Sequence, residues 1–415
     1  MRIAIVTARS PIARAGAHDG QLLEPAALAR ALACNGHRVT MYARAEDPVL
    51  PRTAILGSGV RVEHVKVGPA RSLAAEQAAK FLPEVAAYLA GRWRTRPPDV
   101  VHAFSWLAGL AAIGAVRGTG TPVVQSFESL GSLERRQAGA DVPASRVKVE
   151  AAIGRTVAAV LARSEEEAAE LSGHAVRKSA VRVIPVGVDT AHFSPEDLRA
   201  RCGDKPRLIA LADDQARGLQ TLIRALAQLP RAELTIVGGP DARHLPRSGP
   251  FREAAQLAAS LRVRSRVTFA GEVAEADLPA LLRSADVMVS ATAYDPTGLA
   301  VIQAMACGLP VVASAVGGQR DAVLDGITGL LVAPDHAAML VHRLRMLLAQ
   351  PAMLQAYGIA AADRARSRYS LDRTCQETAA VYERCLRPAA TAEDELAEPA
   401  APIEAADLRG VLAFA

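Results

Sequence analysis

Tyr294-Asp-Pro-Thr-Gly-Leu-Ala-Val-Ile-Gln-Ala-Met-Ala-Cys-Gly-Leu-Pro-Val-Val-Ala-Ser-Ala-Val-Gly-Gly318 holds a strand exit, a helix and a second strand within one short stretch. The apolar run Val287–Ser290 reads as a strand, and a helix is predicted from Gly298 to Cys307. Gly308 stops that helix, and Pro310 leads into a further strand at Val311–Ala313, which Gly317-Gly318 ends. A helix that opens at Gly298-Leu299 straight after a strand offers free backbone N–H groups, a ready place for phosphate. Asp295 stands just before the helix and Gln303 lies eight residues further on, inside it. The same residues also fit an ordinary strand–turn–helix with an acidic approach to its positive end.

Outward from this stretch, short apolar runs alternate with Ala/Leu-rich amphipathic stretches along most of the chain. Ile3–Ala8, Arg38–Tyr42, Val60–Val65, Val100–Phe104, Val123–Phe127, Ala159–Ala162 and Arg182–Val186 read as strands. Helical patterns lie between them, at Gln21–Cys34, Glu76–Gly91 and Leu107–Val116. Runs apolar on both faces suit parallel strands covered by helices on each side. The alternation is that of a doubly wound α/β sheet. It pauses over Asp189–Pro206, which reads as a linker, then restarts with Leu208–Ala212, Leu234–Val237, Val267–Ala270 and the strands around the opening stretch, ending at Gly329–Val332. Two such domains in tandem create a cleft, with ligands expected at strand C-terminal ends.

The first domain is expected over 1–187, completed by a C-terminal helix at 371–386. The second is expected over 203–370, and 388–415 reads as a disordered tail.

Composition narrows the function. The chain of 415 residues is 50% hydrophobic and 22% charged, as in a soluble globular protein. A net charge of +5 without any long Lys/Arg run, and aromatics at 4%, disfavour nucleic acid as a partner. The most apolar stretch, around Phe104–Val116, is shorter than a spanning helix requires, so no transmembrane segment is expected. The short apolar start, followed by Arg9 and Pro11, does not read as a signal peptide. Five scattered cysteines fit neither a disulfide framework nor a zinc site, which suits a cytoplasmic protein. Asp213-Asp214 and Glu393–Glu395 read as surface charge rather than a metal site. Ser10-Pro11 follows the first strand where a nicotinamide-binding chain would carry its glycine loop, so no such cofactor is expected. Arg92, Arg94 and Arg96 read as a solvated helix end, with an acidic acceptor or lipid headgroups as the alternative.

The opening stretch resembles the signature of the retaining GT-B glycosyltransferases of family four, in which Glu-Pro-Phe-Gly-Leu precedes a helix carrying a second Glu and then Ala-Met-Ala-Cys-Gly-x-Pro-Val-Val. The similarity continues through Ser284–Val287, Asp321, Val323, Asp325-Gly326, Thr328–Val332 and Tyr369-Ser370 to Tyr382. In the first half, Asp19-Gly20-Gln21, Ala29–Leu32, Gly36–Thr40, Pro98–His102, Val183–Asp189 and Phe193 resemble actinobacterial members akin to sucrose synthase and mycothiol glycosyltransferases.

The resemblance implies a retaining, metal-independent, hexosyltransferase-type enzyme. Its partners would be a nucleotide-diphosphate sugar as donor, bound by the domain at 203–370, with no other cofactor, and an unknown acceptor on the side of the domain at 1–187: a small molecule, a glycan or a lipid headgroup. Carried over residue by residue, it implies Asp295 and Glu128 as the groups that position the sugar. Gly20, Arg217, Gly298, Leu299 and Gln303 would be the donor-binding set. Several positions depart from the family. Asp295 and Gln303 replace the two Glu, Ala212 and Arg217 stand where the diphosphate clamp has Arg and Lys, Asp19 replaces a phosphate-loop Gly, and Glu128 and Phe104 replace His. These changes together carry a second reading, a catalytically silent member of the fold that binds a ligand or partner. A third, a sugar-nucleotide epimerase, is disfavoured by the lack of a clear His/Glu acid–base set.

Overall fold

A computed structural model describes residues 1–12, 20–195, 205–212, 218–245 and 249–387, with side chains from Glu24 onward in the helix that begins at Gly20. The described chain divides into two compact units, one formed by Met1–Pro185 with the chain from Asp372 onward, the other by Val186–Leu371.

The first unit is built on an eight-stranded sheet. Its strands are β1 (Arg2–Thr7), β2 (Arg38–Arg44), β3 (Thr53–Gly57), β4 (Val60–Val65), β5 (Val100–Phe104), β6 (Val123–Ser126), β7 (Ala159–Ala162) and β8 (Val181–Val183). They lie in the order β3-β4-β2-β1-β5-β6-β7-β8. Every pair is parallel except β3–β4. β3 is absent from the sequence expectation. It is a short antiparallel edge, returned by a turn through Ser58 and Gly59 at positive φ, and Ile55 on it stays 65% exposed, so it has no buried apolar face to read. The expected helix over 76–91 is two helices, Ala75–Ala79 and Leu82–Thr95, with Pro83 in the first turn of the second, where its missing N–H costs nothing. Arg92 is not a free basic end: its Nε lies 2.7 Å from the buried Glu63 carboxylate, which also accepts from the Tyr88 hydroxyl at 2.6 Å.

The last described helix, Leu371–Leu386, packs onto this sheet through Tyr382, whose side chain is fully buried. Its hydroxyl lies 2.6 Å from His102 Nδ1 on β5, and His102 Nε2 is 3.0 Å from Ser126 Oγ on β6. The arrangement satisfies a neutral imidazole: tyrosine donates to Nδ1, Nε2–H donates to Ser126, and the serine hydroxyl reaches the Leu161 carbonyl at 3.4 Å. Burial pushes the His102 pKa down to about 3.

The second unit carries six parallel strands, β9 (Arg207–Leu211), β10 (Glu233–Val237), β11 (Val267–Gly271), β12 (Val287–Ser290), β13 (Val311–Ser314) and β14 (Gly329–Val332), in the order β11-β10-β9-β12-β13-β14. Leu208 and Ala210 enter one apolar cluster and Ile209 the other; Val287 and Val289 likewise oppose Met288. Both faces are therefore buried, which is why these strands read as unbroken apolar runs. The doubly wound α/β class expected for both halves is what the chain adopts.

Candidate functional site

The order of the second sheet reverses between β9 and β12, and in doubly wound sheets the ligand crevice lies outside the strand C-termini at that point. The segments that leave those ends press backbone against backbone. Gly218 (φ 78°) opens the Leu219–Ala227 helix after β9, and a Cβ there would sit 2.5 Å from the carbonyl of Ala291, just past β12. Gly298 (φ 67°) opens the Leu299–Ala306 helix, and its added Cβ would lie 2.6 Å from the Gly318 carbonyl carbon. A Cβ on Gly318 would in turn meet the Thr297 carbonyl carbon at 2.2 Å. Only glycine permits this approach, so the loops after β12 and β13 form one welded rim.

Asp295 organises that rim. Its Oδ1 accepts the N–H of Thr297 at 3.0 Å, the N–H of Gly298 at 2.8 Å and the Thr297 hydroxyl at 3.2 Å. Its Oδ2 accepts Gln319 Nε2 at 2.9 Å. Leu299 N–H donates to Thr297 Oγ1 at 3.3 Å. This corrects one sequence expectation: the N–H groups of Gly298 and Leu299 are not free, because a short Asp and a Thr close the loop on themselves. Among the described residues, the next two N–H groups of this helix, at Ala300 and Val301, are those without an acceptor. Gln303 lies one turn further along, on the face of Leu299 by its four-residue spacing, and is 93% buried (7% exposed) with no side-chain hydrogen bond among the described residues. Ala212 directly follows β9, with its N–H on the Val237 carbonyl, and Arg217 and Asp213-Asp214 lie outside the described residues.

Sequence reasoning missed Gln319. It is 1% exposed, and Nε2 bridges Asp295 and Ser290 Oγ (2.7 Å), while its Oε1 is buried without a partner. Its only sequence signal is a polar residue directly after the Gly317-Gly318 turn.

Glu128 and Gly20 belong to the other unit. Gly20 opens the Gly20–Cys34 helix, next to Asp19, which lies outside the described residues. Glu128 is half-buried, two residues beyond β6. The carbonyl of its neighbour Phe127 accepts a hydrogen bond from Arg163, a 5% exposed guanidinium that also meets Glu24 at 3.1 Å and Glu167 at 3.6 Å. This ion cluster ties the β6 exit to the first helix; the sequence offered only Arg163-Ser-Glu-Glu-Glu167 at a strand end as its trace. Phe104 ends β5, and Ser105 after it takes φ 86° and ψ 158°, a region nearly restricted to glycine. Its hydroxyl accepts Ala108 N–H at 3.3 Å, and Gln125 Nε2 donates to its carbonyl at 3.0 Å. The strain falls where the first sheet reverses direction, between β1 and β5.

Two doubly wound units, each with strain or glycine-only contacts at its reversal point, define a tandem α/β protein. Residues 205–350 match the family described as Glycosyl transferases group 1, and residues 24–187 match the Glycosyl transferase 4-like domain. The D-inositol 3-phosphate glycosyltransferase of Streptomyces bingchenggensis is 32% identical over 412 residues, covering 93% of this chain and 90% of the relative. That of Actinosynnema mirum is 31% identical over 414 residues, covering 92% and 96%. Among solved structures, sucrose-phosphate synthase from Thermosynechococcus elongatus superposes with a TM-score of 0.84 at 28% identity, covering 92% of this chain and 99% of that one. Anabaena HepE in complex with UDP and glucose shares the fold, with a TM-score of 0.72 at 20% identity over 92% of this chain and all but 1% (99% covered) of its own. The chain belongs to the family-four glycosyltransferases of GT-B fold. Among the described residues, no helix is long and apolar enough to cross a membrane.

Proposed function

We propose that this chain transfers a sugar from a nucleoside-diphosphate donor to an acceptor with retention at the anomeric carbon, without a metal, in the cytoplasm. The observation that carries the reading is the glycine-built rim at the β9–β12 reversal, on a chain whose family is made of glycosyltransferases. Anabaena HepE, which holds UDP or UDP-glucose, makes a uridine nucleotide the first donor to test.

In this reading the Gln303 carboxamide, which makes no side-chain hydrogen bond among the described residues, binds the ribose hydroxyls as donor and acceptor at once. The helix N-terminus supplies the N–H groups of Ala300 and Val301 and its positive dipole to the diphosphate, joined by Arg217 and the Gly20 backbone. Asp295 keeps a role despite its loop bonds. A carboxylate has about four acceptor positions, and Oδ2 receives one hydrogen bond, which leaves room for a sugar hydroxyl. Gln319 would fix the direction in which that oxygen points. Glu128 would position the sugar from the first unit. The acceptor hydroxyl attacks the anomeric carbon from the face the diphosphate leaves. The bond from carbon to phosphate oxygen breaks, the bond to acceptor oxygen forms, and the hydroxyl proton passes to the departing phosphate oxygen.

A screen of UDP-, GDP- and ADP-sugars for nucleoside-diphosphate release tests this directly. At least one donor is expected to turn over, and Arg217→Ala is expected to lower kcat/KM for it at least about tenfold, near 1.4 kcal/mol. Release with no donor, with or without added alcohols, would overturn the enzyme reading in favour of a silent binding protein.

A further inference from the structure

Between the sheet of the first unit and two of its helices lies a small cavity that is partly open to solvent. Its floor is the C-terminal end of β1 and β2, with Ala8 and Ala43; one wall is Leu82, Val85 and Leu89 of the Leu82–Thr95 helix. Those three positions share one helix face. The other wall is Ala108 and Ala111 of the Trp106–Ala115 helix, which starts from strained Ser105. The cavity exists because these are alanines: a larger aliphatic residue at 8, 43, 108 or 111 would fill it. Ala8, Leu82 and Val85 are half-buried and mark its mouth, which opens at the strand ends where doubly wound sheets receive ligands.

Two of the polar side chains that line this space, Thr7 and Arg44, are already engaged. The Thr7 hydroxyl donates to the Arg9 carbonyl at 2.7 Å. The Arg44 guanidinium donates to the carbonyls of Pro69 (2.7 Å), Arg71 (2.6 Å) and Ala45 (3.3 Å) and meets Glu46 at 3.4 Å. A phosphate or carboxylate entering here would shed its water and have to compete with those carbonyls and Glu46 for the Arg44 donors. An apolar group would lose nothing and gain contact with aliphatic walls.

We propose that this cavity is the acceptor subsite for a small hydrocarbon group, so that the acceptor is an alcohol carrying an alkyl substituent rather than a bare polyol phosphate. The assignment of the site to an acceptor rests on the glycosyltransferase reading; the binding chemistry does not.

Calorimetric titration of methyl, n-butyl and n-hexyl β-D-glucosides into the full-length protein tests it, with inositol 1-phosphate as the polar probe and UDP titrated on the same samples. Affinity is expected to rise about fourfold per methylene, the gain from burying one such group. Val85→Trp, at the half-open mouth, is expected to abolish that rise while leaving UDP affinity unchanged. Ala111→Leu, filling the inner wall, should do the same, and the pair guards against one variant failing to fold. Equal affinity for the three glucosides, a chain-length gain that survives in both variants, or inositol phosphate binding tighter than hexyl glucoside would overturn the proposal. Chain-length-dependent binding without any UDP binding would leave the cavity's chemistry standing and count against the glycosyltransferase reading instead.

Discussion

Tyr382→Ala is expected to lower the stability of the first unit by about 3–5 kcal/mol, the range for truncating a fully buried aromatic side chain. Three losses combine. The ring leaves a cavity, its edge-on contact with His102 (centroids 5.7 Å apart) disappears, and His102 Nδ1 is stranded without a donor in a site water does not reach. Tyr382→Phe isolates the last of these and is expected to cost about 1–3 kcal/mol. Both tryptophans, Trp93 and Trp106, lie in the first unit, so urea unfolding followed by tryptophan fluorescence reads that unit's transition. A loss below about 1 kcal/mol for Tyr382→Ala would mean that the last helix is not part of the first unit's core.

The same network sets a pH dependence. The buried His102 titrates near 3, below its unfolded value of about 6.5, so the unfolded chain binds the extra proton first. Its contribution is complete above pH 6.5 and is lost as pH falls towards 3, at about 1.4 kcal/mol per pH unit. His102→Gln, which cannot protonate, is expected to make the unfolding free energy fall less steeply between pH 6 and pH 4, by about one proton.

Gly318→Ala is expected to weaken UDP binding by at least about 100-fold, near 2.7 kcal/mol, with the tryptophan-detected transition unmoved. The new Cβ would stand 2.2 Å from the Thr297 carbonyl carbon, and backbone on both sides leaves nothing flexible to give way. The loop of Asp295–Gly298 must shift, and Ala300 and Val301 shift with it. Gly298→Ala adds the cost of placing a side chain at φ 67° and is expected to be at least as severe. UDP affinity within threefold of the wild type for both variants would place the nucleotide elsewhere.

What the sequence disclosed and what it hid follow from range. The buried strands were legible because both of their faces are covered, so Leu208–Ala212 and Val287–Ser290 stand out without knowledge of their partners. β3 was hidden because an exposed edge needs no apolar signature. The glycine rim after β12 and β13 was legible, since Gly298 and Gly317-Gly318 punctuate a strand–helix–strand stretch. Its wiring was not, because Asp295 meets Gln319 at a separation of 24 positions in the chain, and the backbone contact of Gly298 with Gly318 leaves only glycines as its trace. The His102–Tyr382 pair spans 280 residues, a separation at which no local pattern operates. The free N–H groups expected at 298 and 299 sit instead at 300 and 301, since a local Asp and Thr competed for the first two.

The most direct measurement is calorimetric titration of UDP into the full-length wild type and into Arg217→Ala. A nucleotide site at the β9–β12 reversal requires a saturable UDP-binding isotherm for the wild type, displaced by UDP-glucose, and an affinity at least about tenfold lower once the Arg217 charge is gone. No binding of UDP, GDP or ADP to the wild type, or an affinity that Arg217→Ala leaves unchanged, would contradict it.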